Sequence, residues 1–410
     1  MTRSAALPDA RLRHGRGSLA LSFFAQGIAF ALLVTRIPAI QDQYGISDGL
    51  LPVFLAAVPI LAGVGSVSTE YLVKRVPPSA VLRWVQPVVM LALLGVAAGD
   101  RMWQAAVALG VFGLAVGGLD ASMNMLGISL QRAYGRSIIL GFHAAYSLGG
   151  IIGASLAWVG AHWDLWLLVS YLPIVAVMLP LCLAGSRWYV DGEAAPVQEA
   201  GVAGGGDGSG GTVVFRLLLP LCLVMSFAYI GDSTVSNWSA KYLQDVLGSS
   251  EQLSTVPYNV YMVTALLGRA VGDLGVRRFG AVAVVRLGTV VAGAGFAVVA
   301  VAPGPWVGML GFTLLGFGLC VIVPQTFAAA GRLFPHASDA AVARLNIFNY
   351  VGFLVGSPLV GGLGDAWSYR GAMLVPMVLV LLTLVYARSF GAEGARYGGG
   401  HDRPRTVDVG

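Results

Sequence analysis

Gly65-Ser66-Val67-Ser68-Thr69-Glu70-Tyr71-Leu72-Val73-Lys74-Arg75 and Gly268-Arg269-Ala270-Val271-Gly272-Asp273-Leu274-Gly275-Val276-Arg277-Arg278 are two versions of one pattern. Each starts on glycine, places an acid a turn or so later, and ends on two basic residues. The offset that carries residue 65 to 268 also carries Gln41-Asp42-Gln43-Tyr44-Gly45 to Gln244-Asp245-Val246-Leu247-Gly248. That offset is about half of the 410-residue chain, so the two halves read as repeats of one unit.

Composition says what kind of unit repeats. Hydrophobic residues make up 57% of the chain and charged residues 11%, with a mean hydropathy of +0.77. A soluble domain carries about 25% charged residues, and runs of about 20 apolar residues are long enough to cross a bilayer. Twelve such segments are expected, at 17–41, 49–73, 80–99, 102–131, 137–161, 164–186, 214–242, 253–275, 281–302, 305–333, 339–364 and 368–389. The fold class is therefore an all-α integral membrane protein of twelve transmembrane helices in two parallel six-helix repeats. An even number of spans per half gives both halves the same direction through the membrane.

The chain divides into a segment 1–16, a bundle 17–186, a linker 187–213, a second bundle 214–390 and a tail 391–410. The linker contains Gly204-Gly205-Gly206-Asp207-Gly208-Ser209-Gly210-Gly211, which reads as flexible coil, and the tail reads the same way. The apolar run Ser18–Val34 lacks a small-residue cleavage site and reads as a retained first span. Twenty basic residues fall at one end of the spans and four, Arg36, Arg101, Lys241 and Arg370, at the other; Arg269 lies within a span. The positive-inside rule then places both termini in the cytoplasm and the protein in the plasma membrane. Trp103, Trp163, Trp306 and Trp367 fall at the outer ends as interfacial anchors.

Several chemistries are set aside. The net charge of +5 is spread over short loops, so no nucleic-acid partner is expected. Cys182, Cys222 and Cys320 lie in apolar segments, without metal or disulfide spacing. No zinc spacing, nucleophile elbow or Walker sequence occurs, so the chain reads as a non-enzyme without cofactors. Its expected partners are a small-molecule substrate, protons and the lipid bilayer, and a monomer is expected.

With these residues in place the chain resembles the major facilitator superfamily, whose loop motif is Gly-x-x-x-Asp-x-x-Gly-Arg/Lys-Arg/Lys. Gly268, Asp273, Arg277 and Arg278 match it with the acid displaced one place, while the first copy has Thr69-Glu70 and Val73 in place of the acid and second glycine. Asp120-Ala121-Ser122-Met123-Asn124, Gly135-Arg136, Phe142-His143-Ala144-Ala145-Tyr146-Ser147-Leu148-Gly149 and Asn237-Trp238-Ser239 resemble the fucose-permease-like branch. The resemblance implies a secondary transporter. In it the acids near the cytoplasmic helix ends reach the N-terminus of a helix in the opposite half, Asp273 near Arg136-Ser137 and Glu70 near Ser338.

Polar groups within spans are costly and mark pathways. Asp120, mid-span with no basic residue near it on its helix, is the candidate for proton coupling, together with His143. Counting outward from a turn at Tyr134 levels Asn124 with His143 and Asp120 with Ser147, a candidate polar cluster between spans 4 and 5. A structural hydrogen bond is the alternative. In the second half, a turn near Pro335-His336 levels Gln325 with Asn346 and Arg344, with Asn349 beside them. Pro324 marks a kink or break in span 10. Gln26, Asn124, Asp232, Asn237, Trp238, Gln325, Asn346 and Asn349 are the candidate substrate contacts. Simple solvent exposure is the alternative for Asp232 and Asn237.

Glu70, Lys74, Arg136, Arg269, Asp273 and Arg277 are the candidate cytoplasmic gate. An acid at a helix C-terminus opposes the macrodipole, so each needs a partner. Lys74 and Arg277 follow their acids by four residues, and Arg269 precedes Asp273 by four. The leading reading is proton-coupled symport of a small polar or sugar-like substrate by alternating access. Proton-driven export of drug-like or natural-product molecules is the alternative, and a transport-inactive membrane sensor stands behind both. Gly149-Gly150-Ile151-Ile152-Gly153 lacks the proline of the antiporters' span 5 pattern, which favours symport.

Overall fold

The structure is a computed structural model describing residues 9–46, 51–191, 209–250, 253, 256–334 and 338–391. Most of the linker, the tail after Gly391 and the turn at Pro335-His336 lie outside the described residues. All regular structure among the described residues is helical.

The first half contains span 1 (Ala10–Thr35), span 2 (Leu51–Leu72), span 3 (Pro78–Ala98), span 4 (Met102–Tyr134), span 5 (Ile139–His162) and span 6 (Leu167–Gly185). The second contains span 7 (Ser209–Lys241), span 8 (Val256–Phe279), span 9 (Ala281–Val301), span 10 (Pro305–Leu319 and Ile322–Leu333), span 11 (Ser338–Ala366) and span 12 (Tyr369–Ala372 and Leu374–Tyr386). Ten of these are long and apolar enough to cross a membrane; span 2 contributes the shorter apolar helix Ala56–Leu72. Span 8 is the least apolar of the long helices, because it carries Arg269, Asp273, Arg277 and Arg278. Large apolar side chains line the outside, among them Leu274, Leu287 and Val301, as lipid-facing positions require.

The repeat is visible in the packing. Span 1 packs on span 5 and span 2 on span 4, as span 7 packs on span 11 and span 8 on span 10. Backbones approach closely where glycine allows it. A Cβ on Gly149 would fall 2.0 Å from the Phe24 carbonyl oxygen, and one on Gly352 would fall 2.5 Å from that of Ser226. The second sequence pair also shares a device: Gly45 and Gly248 take φ of 60° and 66°, the left-handed turn that ends each helical stretch. The halves meet where span 5 lies against span 8 and span 2 against span 11.

Span 10 is interrupted at Cys320-Val321. Pro324 has no N–H, so the Cys320 carbonyl loses its helical donor and the ring crowds it. That carbonyl instead accepts the Arg269 Nε from span 8 at 3.3 Å.

Candidate functional site

Asp120 lies about 20 Å along span 4 from its end at Tyr134, near mid-membrane. Its two carboxylate oxygens accept hydrogen bonds from different halves of the molecule. Gln26 Nε2 of span 1 donates to Oδ1, and the Tyr350 hydroxyl of span 11 donates to Oδ2. The Asn124 amide nitrogen donates to the Asp120 backbone carbonyl at 2.9 Å and leaves its own buried Oδ1 without a partner.

The cluster anticipated between spans 4 and 5 is not formed. Span 5 is drawn onto spans 1 and 8, and span 4 onto spans 2 and 3, so the hairpin is splayed. His143 therefore faces aromatic rings rather than Asn124. Its imidazole lies 5.3 Å from the ring of Phe23 on span 1 and 6.4 Å from that of Phe327 on span 10. Its buried Nε2 has no partner. Ser147 does not meet Asp120; its hydroxyl accepts from Arg269 Nη1 of span 8.

In the second half, Asn349 Nδ2 donates to Asn346 Oδ1 at 3.4 Å. Gln325 is fully buried with both amide atoms unpartnered, as is Asn346 Nδ2. The Arg344 side chain pairs with Glu70 at 3.3 Å. Asp232 accepts from the Tyr261 hydroxyl. Asn237 is exposed and donates to the Ser233 carbonyl at 3.0 Å. The Trp238 ring lies 5.4 Å from that of Tyr369, which occupies part of the surface expected to stack on a sugar.

Eight buried side-chain atoms among the described residues have no hydrogen-bond partner, and six of them belong to Asn124, Arg136, His143, Gln325 and Asn346. Buried polar groups are normally satisfied, so this concentration leaves donors and acceptors free for a solute or for water.

At the end bearing Lys74-Arg75 and Arg277-Arg278, called here the basic end, the halves are tied together. Asp273, 6% exposed, accepts from the Ser137 hydroxyl at 2.6 Å and the Gly141 N–H at 3.0 Å. It thus caps the N-terminus of span 5, where a helix dipole favours an anion. Arg277 donates to the Ser137 carbonyl through Nε at 3.1 Å and Nη2 at 2.6 Å. On the other side Glu70 pairs with Arg344 at 3.3 Å, rather than with Ser338, and the Ser66 hydroxyl donates to the Ala343 carbonyl at 3.0 Å. Arg132 of span 4 donates to the Gly331 carbonyl of span 10.

Two gate expectations, those for Lys74 and Arg269, are corrected. Lys74 does not pair with Glu70; its ammonium lies 4.7 Å from the Tyr71 ring centroid. Arg136 lies over Tyr134 at 5.6 Å, its buried Nε unpartnered. Arg269 does not pair with Asp273 but turns away from the basic end to Ser147 and Cys320. The sequence reading missed Tyr350 and Tyr261. A tyrosine in an apolar span reads as packing, yet its hydroxyl must find an acceptor there, and each lies within reach of a span acid.

Opposite the basic end a cleft opens between spans 1, 5 and 8, lined by Gly27, Phe30, Tyr146, Gly150, Tyr258 and Met262 among others.

Comparison with known proteins agrees with this architecture. The family model of the Major Facilitator Superfamily matches residues 221–398. An uncharacterised MFS-type transporter of Yersinia pestis is 28% identical over 381 residues, covering 91% of this chain and 94% of its own. The E. coli fucose:proton symporter FucP superposes with a TM-score of 0.74 at 16% identity, covering 92% of this chain and 98% of that one. The same transporter in its outward conformation gives 0.75 at 17% identity with the same coverage. The human organic anion transporter MFSD10 gives 0.74 at 14% identity, covering 92% and 99%. The repeated halves, the doubled basic-end signature and these matches together make the chain similar to the multi-pass membrane transporters of the major facilitator superfamily.

Proposed function

We propose that this transporter is a proton-coupled symporter of a small polar, sugar-like solute, working by alternating access between two six-span units, 17–186 and 214–390, joined by the segment 187–213. The basic end is cytoplasmic, both termini are inside the cell, and the membrane is the plasma membrane. The monomer suffices, since each half supplies part of one central site.

The observation that carries this reading is the Asp120 carboxylate held between Gln26 and Tyr350, donors from opposite halves. An ionised carboxylate can accept from both. A proton on either oxygen adds a donor there and makes that oxygen a poorer acceptor, so one of the two bonds is weakened or reversed. Proton loading thereby acts on a contact that also resists separation of the halves. The unpartnered atoms of Asn124, Gln325 and Asn346 supply neutral donors and acceptors of the kind that hydroxyl-rich solutes use. The tied basic end and the cleft at the opposite end fit a state facing outward.

The test is uptake into proteoliposomes carrying Asp120→Asn. Accumulation driven by a proton gradient should be lost, while exchange of labelled for unlabelled solute continues. Accumulation at the normal level would remove Asp120 from the coupling role.

A further inference from the structure

Arg269 is a charged group within a span that the gate does not use. It lies ten residues from the end of span 8, about 15 Å into the helix, where a charge is costly. Arginine stays protonated in proteins, so it cannot escape that cost by losing its proton. Its hydrogen-bond partners are both neutral: the Ser147 hydroxyl across the half-to-half interface and the Cys320 carbonyl released by Pro324. Among the described residues Arg269 forms no ion pair within 4 Å, and the Asp232 carboxylate acts on it only from further away. The other guanidinium N–H groups have no acceptor among the described residues.

The outward cleft is lined by residues on the two helices that Arg269 and Ser147 join. Tyr146 and Gly150, which line it, flank Ser147 on span 5, and Met262 lies two turns above Arg269 on the same face of span 8. Arg269 thus lies deeper in the bundle than the cleft, along the same helix face as Met262. The planar fork presents paired N–H donors that match a carboxylate.

We infer that Arg269 is the anion-binding residue of the central cavity and that the transported solute carries a carboxylate, as in a sugar acid. This rests on the transport reading above and names its substrate class. A carboxylate accepting the fork competes with Ser147 for the guanidinium and exchanges a link between the halves for a link to the solute. The acids Asp120 and Asp232 oppose an anion in the same cavity, so a proton on Asp120 removes a like charge as the solute's charge enters. Proton and anion then cross as a neutral pair.

The experiment measures binding to the full-length protein in nanodiscs, with glucuronate, galacturonate and gluconate as probes against glucose, galactose and galactosamine. At least one acid should bind in preference to its parent sugar. Arg269→Gln should weaken that acid about 100-fold and the parent sugar less than threefold, since loss of one partner of a desolvated charge pair is costly. Arg269→Lys guards against misfolding of the first variant: it keeps the charge and should bind the acid about tenfold more weakly, still ahead of the parent sugar. Binding of parent sugars without the acids, or acid binding unchanged in Arg269→Gln, overturns the inference and leaves sugar transport standing. Failure of acids and sugars alike overturns both.

Discussion

Asp120 carries its charge between two donors of unequal consequence. Gln26 belongs to the same half, so its bond holds Asp120 in place through any rocking motion; Tyr350 belongs to the other half, and its bond must break when the halves part. Hydrogen bonds to a charged group contribute about 1.5–3 kcal/mol, enough for one hydroxyl to bias the cycle by about tenfold or more. Tyr350→Phe should therefore lower proton-driven accumulation about tenfold and alter solute exchange less than twofold. Gln26→Leu should weaken both together. Equal losses in the two assays for Tyr350→Phe would mean that its hydroxyl only packs the site.

The elements were more legible than the contacts between them. Twelve apolar runs, the doubled Gly65 and Gly268 patterns and Pro324 were enough to set the spans, the repeat and the break in span 10. Each of these is a local property of the chain. Spans 4 and 5 are neighbours in sequence but pack mainly on other helices. The close approach of Gly149 to Phe24 instead fixes span 5 against span 1, a contact between distant segments. Arg269 was misplaced for a related reason: helical spacing put Asp273 within its reach, but the open Cys320 carbonyl and Ser147 lie on its other side. Pro324→Ala tests this element directly. The restored N–H should take the Cys320 carbonyl from Arg269 and join the two helices of span 10. Slower hydrogen exchange near 320–325 should accompany an uptake rate about tenfold lower, for a gain near 1.4 kcal/mol in the closed arrangement. An uninterrupted helix with normal uptake would show that the break has no part in transport.

In the molecule as a whole, the contacts that tie the basic end differ in chemistry between its two sides. Asp273 is buried and caps span 5, so Asp273→Asn should remove about 1–2 kcal/mol of charge-assisted capping and raise the inward-open population about 5- to 30-fold. Spin-label distances between Arg278 and Ala133, both exposed positions, would report the change. The opposite side relies on Glu70 and Arg344, whose side chains are 12% and 38% exposed, and an ion pair of that kind answers to dissolved salt. The screening length falls from about 10 Å at 0.1 M to about 3 Å at 1 M. Concentrated sodium chloride should therefore lengthen the separation between labels at Arg75 and Ala340 and leave that between Arg278 and Ala133 unchanged. Two repeats of one ancestral unit would then open unequally, one side answering to ionic strength and the other indifferent to it.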